Sequence, residues 1–261
     1  VLNPYESEEL RAVCGTTLRP GGLELTSAAL KFHPFPAGSI LLDLGCGRGG
    51  TLEFLSQRGF EAIGVEKSPL LAAEARQRGR VIEADIHDLP LYDHSVDGIF
   101  CECVLSLVAD QGRVLSECAR VLKPGGALII SDLIHSPKTE ADAAVKTPVS
   151  GCLAGAKPLT EYIQLLNRAG FRAEQVSDHS RALTELAARL VWRYGSTEIL
   201  RRLWSGDGNS CAGTGQSPSG QTEPPRTSGE IRPLGKPANC GRFQARDYGY
   251  ALIISVKEEN Q

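Results

Sequence analysis

Three acidic residues, a glycine-rich turn and a scatter of cysteines carry most of the reactive chemistry in this sequence. Asp43 precedes the turn Gly45-Cys46-Gly47-Arg48-Gly49-Gly50, Glu66 stands 21 positions after Gly45, and Asp85 closes a third short apolar run. The spacing Gly45-x-Gly47-x-x-Gly50 belongs to turns whose backbone N–H groups approach a nucleotide-like ligand where a side chain would clash. A pyrophosphate at that turn would face the Asp43 carboxylate. Like unit charges at ~4 Å repel by about 1 to 4 kcal/mol, depending on the effective dielectric. A cationic ligand would be attracted instead. Glu66 lies at the ~20-residue distance expected of a ribose-binding acid, and a carboxylate can accept from both ribose hydroxyls.

These residues need a frame that brings them to one edge. Ile40–Leu44 is a short apolar run suited to a buried parallel strand, and Thr51–Leu55 begins a helical pattern behind the turn. Strand, glycine turn and helix place a ligand at the carboxyl end of a parallel sheet. Further strands are expected over 61–66, 80–84, 98–104, 127–131, 172–177 and 248–256. Cys101 and Cys103, two apart on the fourth, are expected on one face, with Cys101 as a wall of the ligand pocket. Ser68-Pro69 reads as a cap and first helical residue. Helices are expected over 110–122 and 159–169, and one long amphipathic helix over 183–204. The Gly-, Ser- and Pro-dense stretch 205–241 reads as a loop. The chain thus divides into a leader (1–37), a core (38–182), a helical and flexible insertion (183–247) and a last strand (248–261).

Asp43-Leu44-Gly45-Cys46-Gly47 resembles the first motif of the class I S-adenosylmethionine-dependent methyltransferases, and Val121-Leu122-Lys123-Pro124-Gly125-Gly126 resembles a second pattern frequent in that family. The resemblance implies an α/β, Rossmann-like sheet of seven mostly parallel strands with helices on both faces. It also implies S-adenosylmethionine, an ammonium- and sulfonium-bearing cofactor whose charges suit Asp43. Residues 44–47 and Lys67 would border the cofactor, Glu66 would hold the ribose, and Asp85 with the Ile86 N–H would meet the adenine. Arg19 would reach the methionine carboxylate or stay solvated. The reaction implied is in-line methyl transfer to a small acceptor.

A weaker similarity touches the acceptor. Gly151-Cys152-Leu153-Ala154-Gly155-Ala156, before a Leu-x-x-Tyr helix, is similar to a segment of arsenite methyltransferases in which a cysteine binds trivalent arsenic with a C-terminal cysteine. Cys152, Cys211 and Cys240, with Cys14 as a further thiol, are the matching candidates, since a soft metalloid prefers thiolates. Cys152 is then expected partly exposed at the cavity mouth. For an organic acceptor, His135 and His179 are candidate bases; His87 and His94 read as solvated loop residues. A regulatory module that binds the cofactor without turnover is the alternative outside enzymes. An NAD-dependent oxidoreductase is disfavoured by Asp43.

Composition sets the remaining bounds. The 261 residues carry a net charge of -3, so no basic field draws nucleic acid or an anionic membrane. No apolar run approaches the ~20 residues of a membrane span, and nothing at the start reads as a signal peptide. Eight cysteines follow no regular disulfide spacing, and the expected compartment is the reducing cytoplasm. The sequence leaves the oligomeric state open.

Overall fold

A computed structural model of the protein describes residues 4–136, 151–204 and 247–259. Five strands run parallel: β1 (Ile40–Leu44), β2 (Glu61–Glu66), β3 (Arg80–Glu83), β4 (Val96–Glu102) and β5 (Leu122–His135). With β6 (Phe171–Asp178) and β7 (Tyr248–Lys257) they form a seven-stranded sheet in the order β3-β2-β1-β4-β5-β7-β6. β7 is antiparallel to both neighbours. This is the mostly parallel α/β sheet expected from the sequence.

The central strands are covered on both faces, which is why they read as apolar runs rather than alternating ones. Leu41, Leu42 and Leu44 of β1 are all fully buried. On one face lie Leu52 and Leu55 of α3 (Gly50–Ser56), Leu25 of α2 (Gly22–Phe32) and Leu10 of α1 (Glu8–Cys14). The other face packs Val114, Leu115 and Cys118 of α5 (Gln111–Val121) and Leu166 of α7 (Leu159–Arg168). The short α4 (Pro69–Ala75) starts as its sequence demands: the Ser68 hydroxyl accepts from the Leu71 N–H, and Pro69 fills the first turn. Ser7 caps α1 through the Leu10 N–H in the same way.

Two expectations change. The stretch 183–204 is two helices, α8 (Ser180–Tyr194) and α9 (Glu198–Trp204). Gly195, at φ 69°, takes the left-handed closing position and donates to the Val191 carbonyl, which ends a helix. The apolar stripe of the expected helix faces the core nonetheless: Leu183, Leu186 and Leu190 are buried, and Ala187 and Val191 are partly buried against them. The second change lies at the tip of β4. Cys103 adopts φ 58°, so strand alternation stops there. Cys101 and Cys103 therefore point into opposite layers. The short α6 (Cys152–Gly155) precedes α7. Residues 137–150 and 205–246, with Cys211 and Cys240, lie outside the described residues.

Candidate functional site

The carboxyl ends of β1, β2 and β4, with the turns that follow β1 and β3, border a cavity of about 430 Å³. Asp43, Gly45, Cys46, Gly47, Glu66, Lys67, Asp85 and Ile86 all line it. Gly45 sits at φ 62°, and a Cβ there would lie 2.5 Å from Val104 Cγ2. Glycine is thus required at this position on two counts, conformation and space.

Each acid has a distinct setting. Asp43 is 3% exposed, and its Oδ2 is buried without a hydrogen-bond partner among the described residues. Burial and then the Glu102 charge push its carboxyl well up, with Arg19 opposing. Glu66 is fixed by two backbone donors: the Gly47 N–H at 2.9 Å to Oε2 and the Ser68 N–H at 2.8 Å to Oε1. Burial pushes its carboxyl up and those donors oppose. Asp85 is open to solvent and is bridged by Lys67 Nζ at 2.7 Å and by the His87 N–H at 3.0 Å. The Lys67 contact, followed by His87, holds its carboxyl well below the usual carboxylate range.

The leader roofs the cavity with Tyr5, Thr16, Thr17, Leu18 and Arg19. It rests on the glycine turn where Gly50 has no side chain; a Cβ there would come within 2.7 Å of Thr17 Cγ2. The Ser68 hydroxyl donates to Glu6 at 2.7 Å and Arg48 donates to the Glu6 carbonyl at 3.2 Å. Arg19 is buried rather than solvated. It pairs with Glu102 at the end of β4, at 2.7 Å.

Several sequence-derived candidates move. Cys101 is not a cavity wall: it is buried behind the sheet among Leu44, Ile99 and Cys118. Leu44 is in that layer too, and neither side chain lines the cavity. Cys103 takes the wall position because its left-handed backbone turns it over. Cys152 is 2% exposed rather than partly open. Burial pushes its thiol up to about 12. It shares a second cavity of about 10 Å³ with Cys103, Tyr5 and a set of leucines, and Tyr5, Leu18 and Cys103 border both cavities. Cys14, half-buried, lines neither. His135 stacks near Tyr248, with ring centroids 5.4 Å apart, and His179 meets Ser177 at 2.9 Å; neither reaches the cavity. His87 does.

Sequence reasoning missed Glu102, Cys103 and Tyr5. Glu102 had a readable signal, an acid at the end of an apolar strand like Asp43 and Glu66. Cys103 and Tyr5 had none, since one depends on a local backbone reversal and the other on how the leader folds back.

Residues 42–130 match the family model described as a methyltransferase domain. Over this stretch the chain is similar to S-adenosylmethionine-dependent methyltransferases. Among curated methyltransferases, an arsenite methyltransferase of Halobacterium salinarum is 30% identical over 56% of this chain and 40% of its own length. The 27-O-demethylrifamycin SV methyltransferase of Amycolatopsis mediterranei is 30% identical over 63% of this chain and 65% of its own length. The chain thus spans less than two thirds of either relative. Among solved methyltransferases, phosphoethanolamine N-methyltransferase 2 of Haemonchus contortus, in complex with S-adenosyl-L-methionine, shares the fold at a TM-score of 0.67 and 18% identity, over 96% of this chain and 56% of that one. Among the described residues, no helix is long and apolar enough to cross a membrane.

Proposed function

We propose that this chain transfers a methyl group from S-adenosylmethionine to a small acceptor. The observation that carries this reading is the partnerless Asp43 Oδ2, buried beside a glycine turn. A buried carboxylate without a partner is expensive, and a cationic ligand would satisfy it. Asp43 would hold the ammonium group, and the open backbone of residues 44–47 would border the amino-acid portion. Gly47 and Ser68 each bond one Glu66 oxygen and the Lys67 N–H adds to them, and the remaining acceptor capacity of the carboxylate is left for the ribose. Asp85 and the Ile86 N–H would meet the adenine, with Lys67 at the rim. Bound there, the cofactor supplies an electrophilic methyl on a positively charged sulfur. The protein's part is to position the acceptor in line with it and to exclude water, for which the leader forms a roof.

A second observation narrows the acceptor. Cys103 and Cys152 border one small cavity that adjoins the larger one. This pairing favours a thiophilic acceptor of the trivalent arsenic class, in keeping with the halobacterial relative. Arsenous acid condenses with two thiols, forming two As–S bonds and releasing two waters, so the raised thiol pKa is no obstacle. The arsenic lone pair stays free to attack the methyl carbon, and no base is consumed. The candidate bases His135 and His179 lie outside both cavities. Cys211 and Cys240 remain candidates for a further ligand.

Transfer from radiolabelled S-adenosylmethionine across a panel of acceptors tests both levels. Methylation of arsenite, lost in Cys103→Ser, is the expected result. Transfer to a hydroxyl or amine acceptor but not to arsenite would refute the thiophilic reading. Absence of cofactor binding by calorimetry would refute the whole proposal.

A further inference from the structure

The Arg19–Glu102 pair is built into the cavity wall. Arg19 Nη2 lies 2.7 Å from Glu102 Oε2, and each side chain is 4% exposed. Both Glu102 oxygens are also hydrogen-bonded: Thr26 Oγ1 donates to Oε1 at 3.0 Å, and Thr51 Oγ1 donates to Oε2 at 2.7 Å. Arg19 also donates to the Gly22 carbonyl and to the Thr26 and Thr51 hydroxyls. The pair therefore joins the leader, α2, α3 and the tip of β4. An anchor alone would not need charge. Stripping water from two ions is expensive, and packed apolar side chains of similar volume often hold a structure as well or better. What only the charged pair supplies is a fixed potential on the cavity, where Asp43 Oδ2 stands without a hydrogen-bond partner among the described residues.

We propose that Arg19 and Glu102 set the potential at the cofactor's sulfur, and so fix how strongly the site prefers S-adenosylmethionine over its product S-adenosylhomocysteine. The inference rests on the cofactor site proposed above. The two ligands differ by a methyl group and by one unit of charge on sulfur. The ratio of their affinities therefore isolates the potential at that atom. Methyl transfer discharges the sulfur, because the C–S bond electrons stay with it while the acceptor's lone pair bonds the methyl carbon. A wall with Asp43 and an unpaired Glu102 would stabilise the charged ground state more than the transition state, and uniform or ground-state binding does not speed the chemical step. Arg19 cancels one of the two carboxylates. The pair acts as a specificity determinant through charge, with the leader's closure as its carrier.

Calorimetric affinities for both ligands test this in Glu102→Gln, Arg19→Met, Arg19→Lys and the double variant Arg19→Met/Glu102→Gln. Glu102→Gln leaves Arg19 unpaired and should move the ratio toward S-adenosylhomocysteine by about tenfold, the order expected of a unit charge ~10 Å away at an effective dielectric of ~20. Arg19→Met should move it toward S-adenosylmethionine by a similar factor. The double variant should return close to the wild-type ratio, and Arg19→Lys, which keeps the charge but not the fork of hydrogen bonds, should leave it near its starting value. If both ligands weaken together and the ratio stays fixed, the pair is a fastener and the proposal falls. It also falls if Arg19→Lys moves the ratio as far as Arg19→Met. Should Arg19→Met not fold, the isosteric Glu102→Gln decides alone. Wild-type protein that binds neither ligand would instead refute the cofactor site itself.

Discussion

Replacing Asp43 by asparagine should move stability and cofactor affinity in opposite directions. The side chain keeps its shape and its acceptor oxygen but loses its charge. Asp43 is 3% exposed and its Oδ2 has no partner among the described residues. A buried ion costs several kcal/mol, even after relaxation, whereas an orphaned neutral donor costs about 1–3 kcal/mol. The ligand-free Asp43→Asn variant should therefore be more stable at neutral pH, by about 1 kcal/mol or more. The pH dependence has a definite sign. The carboxyl is pushed above its ordinary value of 3.8 in the folded protein, so the folded state holds a proton that the unfolded chain has lost. Wild-type stability is highest below the unfolded value and falls as pH rises toward the folded one. The amide of the variant has no such slope, and the gap in its favour should widen from pH 5 to pH 8. Affinity for S-adenosylmethionine should fall by about tenfold to a hundredfold, from the loss of a charge-assisted bond of ~1.5–3 kcal/mol. Urea denaturation without ligand at both pH values and calorimetric titration provide the readouts. A ligand-free variant less stable than wild type at both pH values, or an unchanged affinity, would refute the reasoning.

Three further outcomes follow from the same geometry. Gly45→Ala should lose about 2–4 kcal/mol of stability, roughly 1–2 kcal/mol from the left-handed backbone and the rest from the Val104 contact; adding Val104→Ala should restore the second part only, as read by urea midpoints. Glu66→Gln should weaken S-adenosylmethionine by about tenfold or more at ~1.4 kcal/mol per decade, and a calorimetric affinity equal to wild type would remove the ribose assignment. Cys103→Ser and Cys152→Ser should each abolish arsenite binding by equilibrium dialysis and leave cofactor affinity intact, since a hydroxyl is too hard a ligand for trivalent arsenic.

The edge proposed for the cofactor was legible in the sequence because its signals are local. A glycine turn, an acid at a strand tip and a capped helix are each decided within a few residues, and Asp43, Glu66 and Asp85 all reach one cavity. The side proposed for the acceptor was hidden because its contacts span the chain. Arg19 meets Glu102 across 83 positions, and no pattern near Arg19 announces that it will be buried. The face of Cys103 depends on one backbone reversal at φ 58°, which a period-two reading of β4 cannot anticipate. Cys152 was expected at a surface because reactive thiols need access, yet it is buried beside Tyr5, a residue 147 positions earlier in the chain. Gly195 was the missed local signal: a glycine inside an amphipathic pattern is a common helix stop.

The place of β7 in the sheet has a consequence for how the chain is made. It inserts between β5 and β6, so neither of those strands has its full set of partners until residues 248–257 leave the ribosome. Strands β1 to β4 can assemble earlier, since their partners are close in sequence. During synthesis of the 205–246 segment, β5 then presents an open and largely apolar edge, with Leu128, Ile129 and Ile130 on it, the kind of edge that recruits stray strands. Tyr250, whose hydroxyl reaches the Ser131 carbonyl at 3.1 Å, arrives with the same late strand. Nascent chains stalled before Tyr248 should resist protease over β1 to β4 and be cut near β5 and β6. Equal protection of all six strands would mean that β5 and β6 find each other without the strand that separates them.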